Sequence, residues 1–266
     1  MPLTVDAHAH IFHRGMTLAR DAWRRPEGEA LLGDLVTCMD AAGIDHAVLA
    51  AASIFGTDNS YMLEACAMSN RFRTTVIVEP GISLGDLAAL AARGAVGVRF
   101  QWRSLDTPPD LREPAYGTLL GHMAELGLHA QLHDRGRRLP PAIAAIEEAR
   151  VDLVVDHFGR PAPDDGPDCP GFAAMLDAVQ RGRTWIKVSG GFRLGPEDFV
   201  ARLAERLLVE ASPERLVWGS DWPFVEHERS VDYPQAVRLF NRAFPDPDIR
   251  ARIHAAANAL FFRNAS

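Results

Sequence analysis

The sequence predicts a single (β/α)8 barrel spanning residues 1–266, with an extra helix at its C-terminal end. Three observations carry this expectation. Short apolar runs alternate with Ala/Leu-rich runs of helical period along the whole chain. The strand runs are apolar throughout rather than alternating, as in a parallel sheet covered by helices. Eight such units in 266 residues fit a closed barrel. An open doubly wound sheet is the alternative.

The elements follow in order. The first strand covers Thr4–His8, and helical periodicity runs from Ala30 to Ala42, where Gly43 stops it. The second strand is His46–Ser53, with a helix over Asn59–Ser69. The third is Thr74–Glu79, ended by Pro80-Gly81 and followed by a helix over Leu84–Arg93. The fourth is Val96–Phe100, followed by a loop rich in Pro, Asp and Arg and a helix over Tyr116–Leu126 capped by Gly127. Leu128–His133 and Asp152–His157 are the fifth and sixth strands, with helices over Pro141–Arg150 and Phe172–Arg181. Thr184–Ser189 precedes a helix over Glu197–Ala211, and Arg215–Ser220 precedes one over Tyr233–Ala243. A last helix covers Asp248–Leu260. No linker or low-complexity tract divides the chain.

A formal net charge of −7 argues against a nucleic-acid or anionic-membrane partner. The three scattered cysteines, Cys38, Cys66 and Cys169, form no metal pattern and suit a reducing compartment. With no signal peptide or long apolar run in view, the expected location is the cytoplasm. Lys187 is the only lysine; every other basic side chain is an arginine.

In such a barrel the chemistry sits at the C-terminal ends of the strands. Side chains alternate faces along a strand, so parity selects the inward tip of each. Parity gives His8 and His10 (with Asp6 on the same face), Ser53 in phase with Leu49 and Ala51, Glu79, and Arg99 followed by Gln101 and Arg103. It continues with Gln131 and His133, His157, Lys187 with Ser189, and Asp221. Asp156 is expected to face the helices. Eight apolar runs that all end in a polar group point to a shared site, because burying ionisable groups together is costly without a use.

Three motifs are specific: Asp6-Ala7-His8-Ala9-His10, Asp156-His157-Phe158-Gly159-Arg160-Pro161 and Trp218-Gly219-Ser220-Asp221-Trp222-Pro223. Together they resemble the amidohydrolase superfamily, and within it the lactonase branch that includes the 2-pyrone-4,6-dicarboxylate lactonases and sugar lactonases. Gly56-Thr57-Asp58-Asn59, Gly97-Val98-Arg99-Phe100 and Asn258-Ala259-Leu260 extend the likeness over residues 4 to 262. The resemblance implies hydrolysis of a cyclic ester without an obligatory metal. Asp221 would activate water, and His8, His10 and His157 would polarise the carbonyl. Arg99, Arg160 and Arg103 would hold carboxylates, with Ser53 and Thr57 touching substrate. His133 departs from the pattern, where the pyrone lactonase carries a tyrosine, and leaves both substrate and metal open.

Each residue also has a structural reading. Arg99 could pair with Glu79, and Lys187 with Glu79 or Asp6. Asp58 and Asn59 could cap a helix, and Trp102 and Trp222 could be core rather than walls for a flat ring. Zinc on His8, His10, His133 and Asp221 is the alternative to a metal-free site. Arg99 opposes it, since a guanidinium cannot ligate and repels a nearby dication. The expected partner is a small anionic lactone, and a homo-oligomer is compatible with the sequence. The rival functions are a metal-dependent sugar lactonase or decarboxylase, and a barrel that binds a ligand without turning it over.

Overall fold

The computed structural model describes residues 3–262. Eight parallel strands lie in the order β1 to β8: Val5–Ala9, His46–Ala50, Phe72–Val76, Ala95–Gln101, His129–His133, Leu153–Val155, Thr184–Ser189 and Leu216–Gly219. They form a (β/α)8 barrel. Its seam is closed by Asp221 N donating to His8 O at 2.8 Å and His10 N donating to Trp222 O at 2.8 Å. At that seam β8 approaches β1 so closely that a Cβ on Gly219 would lie 2.5 Å from the His8 Cβ.

The helices are α1 (Leu32–Ala42), α2 (Ser60–Met68), α3 (Leu84–Ala92), α4 (Pro114–Leu126) and α5 (Leu139–Glu148). They continue with α6 (Pro170–Gln180), α7 (Glu197–Glu210), α8 (Tyr233–Ala243) and the extra α9 (Pro247–Phe261). Gly43 and Gly127 end α1 and α4 in the left-handed conformation that glycine adopts without strain. The main apolar core lies between sheet and helices. A second, smaller core fills the floor of the barrel: Val5, Ala7, Val48, Val154 and Val217 meet Ala257, Phe261 and Phe262. The C-terminal segment therefore seals the end opposite the polar strand tips. No helix among the described residues is long and apolar enough to cross a membrane.

Parity fails at β1, β2 and β6, and β3 ends short of its expected tip. In β1 a register shift between Asp6 and Ala9 breaks the alternation. Val5 and Ala7 face the floor, yet His8 also points inward. Asp6 turns away, accepting from Ser220 N and from the Tyr233 hydroxyl of α8, both at 2.8 Å. In β2 it is Val48 that faces inward, while Leu49 and Ala51 join the outer core. β3 stops at Val76, so Glu79 is exposed and pairs with neither Arg99 nor Lys187. In β6 Val154 faces inward and so does Asp156, two residues on, contrary to the sequence expectation.

Candidate active site

The interior is layered. Above the apolar floor lies a buried polar layer built on Asp156. Its Oδ2 accepts from Gln131 Nε2 at 2.9 Å and pairs with Arg99 Nη2 at 3.3 Å. Its Oδ1 lies 3.5 Å from Lys187 Nζ and 3.5 Å from His8 Nδ1. Thr75 Oγ1 donates to Gln131 Oε1 at 2.8 Å, so β3 joins the network through a threonine rather than Glu79. Burial opposes the charge of Asp156, but Lys187, with Arg99, outweighs it and holds the carboxyl well below its usual range. Burial is also the main cause that lowers Lys187 to about 8.

The cleft opens above this layer, at the C-terminal ends of the strands. Asp221, His10, His133, His157, Arg99, Arg103, Arg160 and Ser53 all line it. His8 lies just beneath, fully buried. Thr57 does not reach the cleft. The chain leaves the turn at Ser53–Phe55 through Gly56 at φ 56°, which carries Thr57 outward to an exposed position. Asp58 caps the start of α2 through Ser60, and Asn59 bridges to both backbone groups of Ile77, so both are structural. Trp102 packs on Phe100 and Tyr116, and neither it nor Trp222 lines the cleft. The cleft's indole is Trp23, whose Nε1 lies 3.4 Å from Ser53 Oγ.

His157 gets inside by a different route from its neighbour Asp156. β6 ends at Val155, and the chain then turns with φ of 53° at His157 and 55° at Phe158. Two successive residues thereby reach the interior. His157 Nδ1 meets Ser189 Oγ at 2.9 Å, and burial lowers its pKa to about 4. Asp221 sits at φ 66° with its Oδ2 engaged by Arg193 Nε. Burial alone would raise its pKa, but Arg193 and His157 outweigh that and hold it well below the usual carboxylate range. Asp221 is therefore ionised at neutral pH, as a general base requires.

Arg193 is the residue that sequence reading missed. It lies four positions past Ser189, in the turn after β7 rather than at a strand tip. A further signal was the Gly190-Gly191 pair that lets this turn fold over the mouth. Gly190 has φ of 57°, and a Cβ there would stand 2.8 Å from His157 Nδ1 and 3.0 Å from Asp221 Oδ2.

The arginines differ in how much they have left to offer. Arg99 donates to Ala51 O at 2.7 Å, to Asp156 and to His133 Nδ1 at 3.2 Å. Arg103 and Arg193 flank Glu226 at 3.5 and 4.0 Å. The Arg160 guanidinium has no acceptor within reach among the described residues. Burial, with Arg103 and Arg193 pushing the same way, lowers its pKa to about 10. Since Arg99 can only donate, His133 Nδ1 accepts, and its proton sits on Nε2, a buried atom in the cleft wall without a partner. His10 Nδ1 donates to Ala50 O at 2.7 Å, so neutral His10 presents a lone pair at Nε2.

His8, His10 and Asp221 converge. His8 Nε2, His10 Nε2 and Asp221 Oδ1 form a triangle with edges of 3.2, 3.6 and 3.8 Å. Zinc bonds of 2.0–2.1 Å imply ligand separations of about 3.3 Å in a tetrahedron, so the positions alone fit a three-donor metal site. His133, the fourth expected ligand, is held by Arg99 instead and is not one of the group. A second cluster, His8, Asp156 and His157, shares His8 with the first.

The model of the amidohydrolase family matches residues 5–262. The chain is 30% identical to the 4-sulfomuconolactone hydrolase of Rhizobium radiobacter over 260 residues, 93% of this chain and 86% of that protein. It is 33% identical to the 2-pyrone-4,6-dicarboxylate hydrolase of Comamonas testosteroni over 238 residues, 82% and 76% of the two. Among solved structures, a crystal structure described as a probable 2-pyrone-4,6-dicarboxylic acid hydrolase from Acinetobacter baumannii, with citric acid bound, superposes with a TM-score of 0.93. That pair is 28% identical, with 97% of this chain and 99% of that one covered.

Proposed function

The chain belongs to the amidohydrolase family and is a lactone hydrolase, and on that premise we propose that it opens a lactone carrying at least one carboxylate, with Asp221 as the base. One observation carries the substrate class. The half-buried Arg160 guanidinium has no partner among the described residues, in a cleft that Arg99, Arg103 and Arg193 also line. A desolvated cation without a counter-ion is costly, and a carboxylate fits its planar fork in two places. The bound tricarboxylate of the Acinetobacter relative supports the same reading.

In the proposed reaction Asp221 Oδ1, the oxygen not engaged by Arg193, takes one proton from a water molecule. The water oxygen adds to the ring carbonyl carbon, and the carbonyl π pair moves onto oxygen. The His133 Nε2–H, buried in the cleft wall and unpartnered among the described residues, donates to that oxyanion, and His157 lies beside it. When the tetrahedral species collapses, the acyl–oxygen bond breaks and the proton on Asp221 passes to the departing ring oxygen. His10 cannot act as an oxyanion donor while its N–H is committed to Ala50. Its lone pair lies 3.2 Å from His8 Nε2, beside Asp221.

The metal-free form of this mechanism is favoured by the cations around the triangle, because Arg193 already neutralises Asp221 and Arg160 faces it across the cleft. If a divalent ion were required, His8, His10 and Asp221 would hold it and it would polarise the water or the carbonyl. A lactone panel assayed in metal-free buffer tests both points. Anionic lactones should turn over and neutral sugar lactones should not, with no loss after chelation. Equal rates on neutral lactones, or activity restored only by added zinc, would overturn the reading.

A further inference from the structure

The lone lysine of the chain is fully buried in the barrel, in the layer below the cleft. Its Nζ lies 3.2 Å from His8 Nδ1, closer than to either oxygen of Asp156. Lysine's ammonium offers only donors, so His8 Nδ1 must be the acceptor in this contact. A second donor, Gln131 Nε2, stands 3.4 Å from the same nitrogen. The opposite tautomer would need Nδ1–H to donate to Asp156 Oδ1. At 3.5 Å that contact is longer than the one to the lysine, and Asp156 Oδ1 has no hydrogen-bond partner among the described residues.

We propose that Lys187 is a positioning residue that fixes His8 as the Nε2–H tautomer, turning the His8, His10 and Asp221 triangle from a cation site into a seat for the attacking water. The assignment rests on the lactonase reading only for the use of that water. A histidine that ligates a metal presents a bare nitrogen and donates its other N–H to an acceptor behind it. His10 is arranged that way, toward Ala50 O, and His8 is arranged the reverse way, with donors behind it. With its proton on Nε2, His8 donates to His10 Nε2 at 3.2 Å, which leaves Asp221 Oδ1 as the free acceptor of the triangle. A water above its plane shares the His8 N–H with His10 and donates to Asp221. At hydrogen-bond length from all three corners its oxygen stands about 1.9 Å above the plane. Its remaining lone pair faces the cleft, where the carbonyl carbon must lie. One of its protons points at the base.

The test reads proton position directly and needs no substrate. Histidine-labelled protein, with His8 signals assigned by loss in His8→Gln, should give an unprotonated ¹⁵N shift at His8 Nδ1 and a protonated one at Nε2. With a single lysine, ¹⁵Nζ labelling yields a single ammonium signal, which should show a cross-relaxation peak to the His8 ring Hε1. In Lys187→Met the positive charge goes and the Arg99–Asp156 pair remains, so the His8 proton should move to Nδ1 and donate to Asp156. That variant should also bind zinc at least tenfold more tightly than the parent, the range over which outer-shell partners act on metal sites. The reversed pattern in the parent protein, or an unchanged pattern in Lys187→Met, overturns the proposal. If Lys187→Met does not fold, the parent shifts and the lysine cross-peak still decide. Neither result depends on which lactone is cleaved, so a wrong substrate class leaves this outcome readable.

Discussion

In the proposed reaction Asp221 and Arg160 divide the work of the site between chemistry and binding, and single substitutions separate the two. Asp221→Asn keeps the shape and removes the base. Its kcat is expected to fall by roughly 10²–10⁴-fold, the usual contribution of a general base, with KM little changed. Near-parental turnover would place the base elsewhere. Arg160→Met removes a cation that no other described group has claimed. KM for an anionic lactone should rise by roughly one to two orders of magnitude, as losing a charge-assisted hydrogen bond implies, while kcat changes less. If KM stays level, the carboxylate is held by Arg103 or Arg193 instead. The places of these residues in the cleft were legible because their types are chemically narrow. A carboxylate at the tip of β8 and an arginine three residues past His157 have few purely structural uses.

At the scale of elements, what the sequence hid was face rather than position. Every strand was found, but alternation assumes an unbroken ladder. The register shift in β1 turned Asp6 outward to Tyr233 while keeping His8 and His10 inward. In β6 the opposite happened: an uninterrupted ladder placed Asp156 inside, and a turn at positive φ brought His157 in after it. Neither the bulge nor the turn has a sequence signature beyond the residues themselves, so the central carboxylate of the interior was assigned to the wrong side. Arg193 escaped notice for a related reason, since a turn supplies it and a strand does not. The Gly190 turn makes its own prediction. Gly190→Ala should strain a left-handed backbone position at a cost of about 1–3 kcal/mol. It should also push its Cβ against His157 and Asp221. At least a tenfold loss of kcat is expected with an unchanged circular-dichroism spectrum, and retained activity would mean that the two side chains have room to move.

For the molecule as a whole, ionisable groups buried in their neutral form tie stability to pH. His129, at the floor-side start of β5 against Phe261, is lowered to about 3, chiefly by burial and then by Lys187. Its folded pKa lies below the unfolded value of about 6.5, so the unfolded chain binds the proton first. The stability that follows is complete above about pH 6.5 and is lost as pH falls toward 3. His157 contributes in the same sense down to about 4. Urea midpoints should therefore decline between pH 6.5 and 4. His129→Leu should flatten that decline by up to about 1.4 kcal/mol per pH unit, and an unaltered slope would show that His129 takes up its proton while folded. The barrel itself was the most legible feature of all, because eight apolar runs and their spacing leave few other ways to bury so much surface.

The floor that Phe261 and Phe262 close has a kinetic consequence. The polar hollow is a cul-de-sac, so whatever enters from the mouth must back out the same way. Ring opening adds one carboxylate to the molecule that leaves, and if the arginines hold carboxylates as proposed, that product is a better match for them than the lactone was. Such an enzyme should be competitively inhibited by its own hydroxy acid, and its rate at high conversion should be limited by how quickly that acid lets go.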